Sequence, residues 1–217
     1  MSKKNWTINV VVNSLIIALT IVAILLMFFG DPGVLASTRW DAFKYFTTQS
    51  NLFVAITSVI SLIYLLFKKD KPYPTWLTVV KLTSAVSVGV TFTVVFAYLD
   101  FVYPIALLFH NANLFLHGII PVIAMVAFAI LEPKAKLNWK LNFHSLFPVS
   151  IYGTFYLINV AAKNDYGNYK GADWYAFGTY GPWIGILCLS VILAISLAIS
   201  FGLYLLHQRT LIKKLHE

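Results

Sequence analysis

Apolar residues in this chain run together instead of alternating with polar ones. Six such runs can be placed, at 8–29, 45–67, 76–98, 112–131, 143–162 and 182–206. Each is close to the roughly 20 residues that a helix needs to cross a bilayer. Backbone donors and acceptors in hydrocarbon must be satisfied within their own segment, so runs of this length predict helices. Pro32, Pro72, Pro74, Pro104, Pro133 and Pro182 fall at or between the runs, where a missing amide donor does least harm. Pro121 and Pro148 lie inside them. The expected fold class is all-α, a six-transmembrane-helix bundle in which residues 1–217 form a single domain. The basic start at Lys3 and Lys4 resembles the front of a signal peptide. The apolar run behind it is too long for a typical signal core, which predicts an uncleaved first span. No internal repeat or low-complexity stretch interrupts the pattern.

Polar residues within the runs fall on stripes. Thr47, Ser50, Asn51, Ser58 and Ser61 lie within about 60° either side of one line on a helix of 100° per residue. That face should look at other helices, and small and hydroxyl side chains commonly serve such packing. Packing suffices for Ser58 and Ser61. It is a poorer account of the start of the run, where Thr47, Ser50 and Asn51 crowd into one turn beside Gln49. Ser84, Ser87, Thr91 and Tyr98 form a second stripe, and Tyr152, Tyr156 and Asn159 a third. His117 stands in an apolar stretch with Asn113 one turn before it and Pro121 one turn after. A titratable ring in hydrocarbon is costly and usually has a polar partner. Proline at 121 cannot donate to the His117 carbonyl, which is left for water, a side chain or a ligand. A plain interhelical hydrogen bond and a simple kink would leave the same pattern.

Composition and charge sharpen the picture. Hydrophobic residues make up 59% and charged residues 11%, against about 25% charged in soluble domains. The net charge is +8, with the bases clustered between the runs. Lys3, Lys4, Lys68, Lys69, Lys71, Lys134, Lys136, Lys140, Arg209, Lys213 and Lys214 fall on one side, and only Arg39, Lys44, Lys163 and Lys170 on the other. The positive-inside rule then places both termini in the cytoplasm. Headgroups of membrane lipids account for this charge better than nucleic acid, for which no aromatic-and-basic platform exists. Lys81, one turn inside the third run, is expected to snorkel to the headgroups. Cys188 is the sole cysteine, which excludes an intrachain disulfide and a zinc pattern; no cofactor is implied. The segment 163–181 holds Tyr166, Tyr169, Trp174, Tyr175, Phe177 and Tyr180, either an interfacial aromatic belt or a lid over a pocket.

Geometry brings two of these stretches to similar depth. The second and fourth runs both enter from the outer side, and at 1.5 Å per residue Thr47 and His117 differ in depth by only several ångströms. The segments Lys44-Tyr45-Phe46-Thr47, Ser50-Asn51-Leu52 and Leu116-His117 with Pro121 behind resemble those of the six-transmembrane proline-containing family of bacterial membrane proteins. That family is distantly similar to the eukaryotic androgen-induced and androgen-dependent membrane proteins. The resemblance spans residues 40–206. It implies a bacterial plasma-membrane location and a threonine hydrolase of fatty acid esters of hydroxy fatty acids, with Thr47 as nucleophile and His117 as base. Thr48 adjoins Thr47, so the nucleophile is open between the two. The interval from His117 to Pro121 is one residue shorter than in the eukaryotic pattern.

Such chemistry is coherent. A neutral imidazole can take a hydroxyl proton and return it to a leaving alcohol. Gln49, Ser50, Asn51, Asn113 and Tyr98 are the candidate substrate-binding or oxyanion residues. No carboxylate is obviously placed to orient His117; Asp100 is the nearest outer candidate, with a solvated loop residue as the plain alternative. The competing readings are a small-molecule transporter, channel or lipid-binding protein that uses the same polar interior without covalent chemistry, and a structural membrane protein.

Overall fold

The computed structural model describes residues 3–30, 39–68, 73–99, 110–131, 135–168 and 170–216, with side chains described over 5–30, 39–68, 73–97, 110–131, 135–168 and 170–212. Six long apolar helices build it. They are α1 (Lys3–Phe29), α2 (Phe46–Phe67), α3 (Thr75–Val94, continued as a π-turn through Val95–Leu99), α4 (Leu114–Leu131), α5 (Leu146–Lys163, led by a 3₁₀ turn over Trp139–Ser145) and α6 (Pro182–His216). All six are long and apolar enough to span a bilayer, which makes this an integral membrane protein. They fall on the six runs read above. The start of α1, the ends of α2 and α4 and the later part of α6 share one end of the bundle, where Trp6 bonds the Leu65 carbonyl, Asn9 the Leu131 carbonyl and His207 the carbonyls of Phe128 and Ala135. The 164–181 loop and the start of α2 lie at the other.

α3 is the central rod. Its residues from Lys81 to Thr91 are all buried, and it packs on α2, α4, α5 and α6. Lipid tails are as apolar as leucine, so burial here comes from close approach of small residues and from hydrogen bonds between helices. Ser50 meets Thr91 at 3.0 Å, and Thr57 meets Ser84 at 3.0 Å, hydroxyl to hydroxyl. Gly89 lets the helices close up, since a Cβ there would lie 3.0 Å from Met125 Sδ and 3.1 Å from an Ile199 methyl.

At the termini end the expectation for Lys81 is overturned. The side chain is 4% exposed and turned inward, its Nζ donating to Asn13 Oδ1 at 2.8 Å and Ser58 Oγ at 3.3 Å. The buried polar residues Asn9 and Asn13 of α1 explain this. Asn13 Nδ2 donates to the Asn9 carbonyl, and Asn9 Nδ2 to the carbonyls of Asn5 and Leu131. An acceptor such as Asn13 Oδ1 deep in the bundle is expensive unless a donor reaches it. His207 of α6 is also fully buried at this end, its ring nitrogens 3.2 Å from the carbonyls of Phe128 and Ala135, and it stacks on Phe128. α6 continues past residue 206, where the apolar run was expected to stop.

Candidate functional site

The start of α2 organises the opposite end. The first amides of a helix have no partner within it. Here the amide of Phe46 donates to the Tyr175 hydroxyl at 2.9 Å, and that of Gln49 to the Tyr45 carbonyl. The amides of Thr47 and Thr48 take no acceptor among the described residues. Thr47 is half-buried and Thr48 buried. Thr47 lines a partly open cavity of about 80 Å³, and Thr48 does not. The rest of the wall is mostly apolar: Val90, Thr91 and Val94 of α3, Tyr152 and Tyr156 of α5, Leu189 of α6, and Tyr175 and Phe177 of the loop. Among the described residues the Thr47 hydroxyl makes no hydrogen bond, so its lone pairs and proton are uncommitted.

The 164–181 loop is a lid in this structure, although Tyr180 at its rim is exposed as a belt residue would be. Buried Asp173 holds the lid from below, accepting from the amides of Gly167 (2.7 Å) and Gly178 (2.8 Å) and from the Tyr156 hydroxyl. Trp174 Nε1 donates to the Tyr152 hydroxyl, which donates in turn to the Lys44 carbonyl at 2.7 Å. Asp165 accepts from the Ala172 amide and the Asn168 side chain, and these bonds hold its carboxyl below the usual range. α5 enters the lid through Asn164 in the left-handed conformation, φ 48°, which asparagine tolerates.

The second stretch is joined to the first by one side chain. Asn51 is fully buried, and its Nδ2 donates to the carbonyls of Thr47 (2.8 Å) and Leu116 (2.9 Å). Both its amide protons are thereby occupied, so donation to an oxyanion would require one of them to be given up. Its Oδ1 has no donor among the described residues. His117 follows directly. It is 7% exposed and sits in a π-turn over Leu114–Ile119, where the Ile120 amide reaches back to the Phe115 carbonyl. A residue inserted beside proline is a common origin for such a turn, since proline removes the regular donor. His117 is not part of the cavity wall that holds Thr47.

The other candidates divide. Asn113 is buried one turn before His117. Ser50 is committed to the Thr47 carbonyl and Thr91, and the Gln49 amide donates to the Phe43 carbonyl at 2.9 Å. Gln49 and Ser50 line a second, open groove between α2 and α5, which adjoins the cavity at Phe46, Tyr152 and Tyr156; the Phe46 and Tyr152 rings lie 5.1 Å apart. The Tyr98 side chain and Asp100 lie outside the described residues. No cluster of three metal-binding side chains occurs among the described residues. Tyr175 and Asp173, which close and hold the cavity, were not singled out as site residues; an isolated aromatic loop carries no sign of which rings face inward. Comparison with protein-family models, curated proteins and solved structures finds no match to this chain.

Proposed function

We propose that this protein is an intramembrane hydrolase of lipid-like esters, related to the threonine hydrolases that its motifs resemble, with both termini cytoplasmic and the lidded cavity on the outer side. The observation that carries the reading is the Asn51 tie. One buried amide nitrogen binds the carbonyls of Thr47 and Leu116, so the threonine and the residue next to His117 belong to one contact between α2 and α4. The uncommitted Thr47 hydroxyl, a mostly apolar cavity and two first-turn amides add to it. Amide donors aimed at a developing oxyanion are typically worth about 3–4 kcal/mol each.

In this mechanism the Thr47 Oγ attacks the ester carbonyl, and its proton passes across the α2–α4 contact to His117, which lies outside the cavity wall. The tetrahedral oxyanion is met by the helix-start amides. Collapse breaks the bond to the alcohol, which leaves with the proton from His117, and an acyl-threonine remains. Water, deprotonated by His117, then releases the carboxylic acid and restores the hydroxyl. Tyr175 and Phe177 of the loop cover part of the cavity, and shielding from bulk water would strengthen each of these electrostatic contacts.

Turnover of a fluorogenic long-chain acyl ester by the purified protein in detergent tests the reading. Thr47→Ala and His117→Ala should each lower turnover by about 10²-fold or more, the usual scale of general-base catalysis, while Thr48→Ala stays near the parent. Full activity in Thr47→Ala would refute it. Saturable ester binding without turnover would favour the lipid-binding alternative.

A further inference from the structure

Beside the cavity lies a feature that ester hydrolysis does not use. α2 and α5 each pack on α3 and have little direct contact, which leaves a lateral groove of about 660 Å³ between them. That size lies within the roughly 300–1,000 Å³ range of small-molecule sites. Phe53 of α2 and Ile151 and Phe155 of α5 flank it at membrane depth, and Ile151 and Phe155 are exposed. Along α5 it runs from Pro148 to Asn159. At 1.5 Å per residue this is about 16 Å, close to half of the roughly 30 Å hydrocarbon core. The groove is therefore about as long as one leaflet is thick.

Its upper end is polar and cationic. Lys44, Gln49 and Trp174 line the mouth. Lys44 Nζ lies 5.3 Å and 5.6 Å from the centroids of Tyr45 and Trp174, and 2.9 Å from the carboxylate of Asp41. The Asp41 side chain is 60% exposed. A pair so open to water is weak and readily exchanged for another anion. A cation beside an apolar trough about half a hydrocarbon core in length matches one amphiphile: a charged head on an acyl chain.

We propose that this groove binds a bilayer phospholipid with an anionic headgroup, one acyl chain lying between α2 and α5 and the phosphate at Lys44. The lipid enters sideways from the leaflet at the Lys44 end. The groove adjoins the Thr47 cavity at Phe46, Tyr152 and Tyr156, but lipid binding here uses neither Thr47 nor His117, so the site does not depend on the hydrolase reading.

The test uses the full chain in nanodiscs doped with diazirine-acyl phosphatidylglycerol or the matching phosphatidylcholine, with cross-links mapped by mass spectrometry. Labelling should concentrate on Phe53, Ile151 and Phe155 over Leu187, an exposed residue on α6. The phosphatidylglycerol probe should label about fivefold more, the effect of one lysine near a charged lipid surface. Lys44→Gln should remove that preference and Lys44→Arg retain it. Ile151→Trp, which fills the trough from an exposed position, should suppress labelling at Phe53 and Phe155. Groove labelling no greater than at Leu187, or equal labelling by the two headgroups, would overturn the proposal.

Discussion

Two buried polar side chains, Asn51 and Lys81, each fasten helices together, and both were only partly visible in the chain. Asn51 stood on the correct stripe, but a stripe does not reveal which atoms its amide will bind. In the structure it clamps two carbonyls. Asn51→Leu should therefore cost about 1–2 kcal/mol, the upper range for hydrogen bonds between membrane helices, and should also loosen the α2–α4 contact. Unfolding in mixed micelles measures the first, and hydrogen exchange at the start of α2 the second. Lys81 was expected at the headgroups because a lone lysine near a helix end usually snorkels. Its inward turn depends on Asn13, sixty-eight positions earlier, and only the three-dimensional contact reveals that pairing. Lys81→Met should destabilise by about 1–2 kcal/mol, because it strands the Asn13 acceptor. A double variant with Asn13→Leu should recover much of the loss, since both partners then become apolar. Additive losses in that cycle would show that the two side chains act independently.

At the scale of elements, the six helices were legible because their lengths and lack of charge are local properties. Turn-level details were less so. Pro121 signalled a disturbed helix at His117, and the structure resolves the disturbance as a π-turn. The aromatic loop was readable as belt or lid, and the choice rests on Asp173 and Asp165, whose backbone partners lie several residues away. Because the folded Asp165 carboxyl is held below its ordinary value, the unfolded loop binds its proton first. Its contribution is present above the unfolded pKa of about 3.9 and is lost as pH falls through the lower folded value. Exchange at the Ala172 amide, corrected for intrinsic rate, should accelerate over that acid window, and Asp165→Asn should remove most of this pH dependence. Unchanged protection through the window would assign the lid to other contacts. Close packing of α3 makes a separate demand. Gly89→Val should cost about 1–3 kcal/mol through overpacking against Met125 and Ile199, read as a lower melting temperature.

On the scale of the whole molecule, the bundle has a polar fastening at the termini end and a lidded cavity with a lateral groove at the other. The chain's pattern foretold a membrane bundle and placed Thr47 and His117 at similar depth. It did not foretell that Thr47 would line the cavity while His117 stands behind the α2–α4 contact, because the rotation of each helix about its axis is set by packing between distant segments. The central claim, that the Thr47 hydroxyl is a nucleophile activated within the membrane, is tested most directly by reaction with a long-chain fluorophosphonate and mapping of the adduct by mass spectrometry. A stoichiometric adduct on Thr47 is expected, absent in Thr47→Ala and strongly slowed in His117→Ala with the fold retained. An unmodified Thr47, under conditions that fully label a control hydrolase, would contradict it.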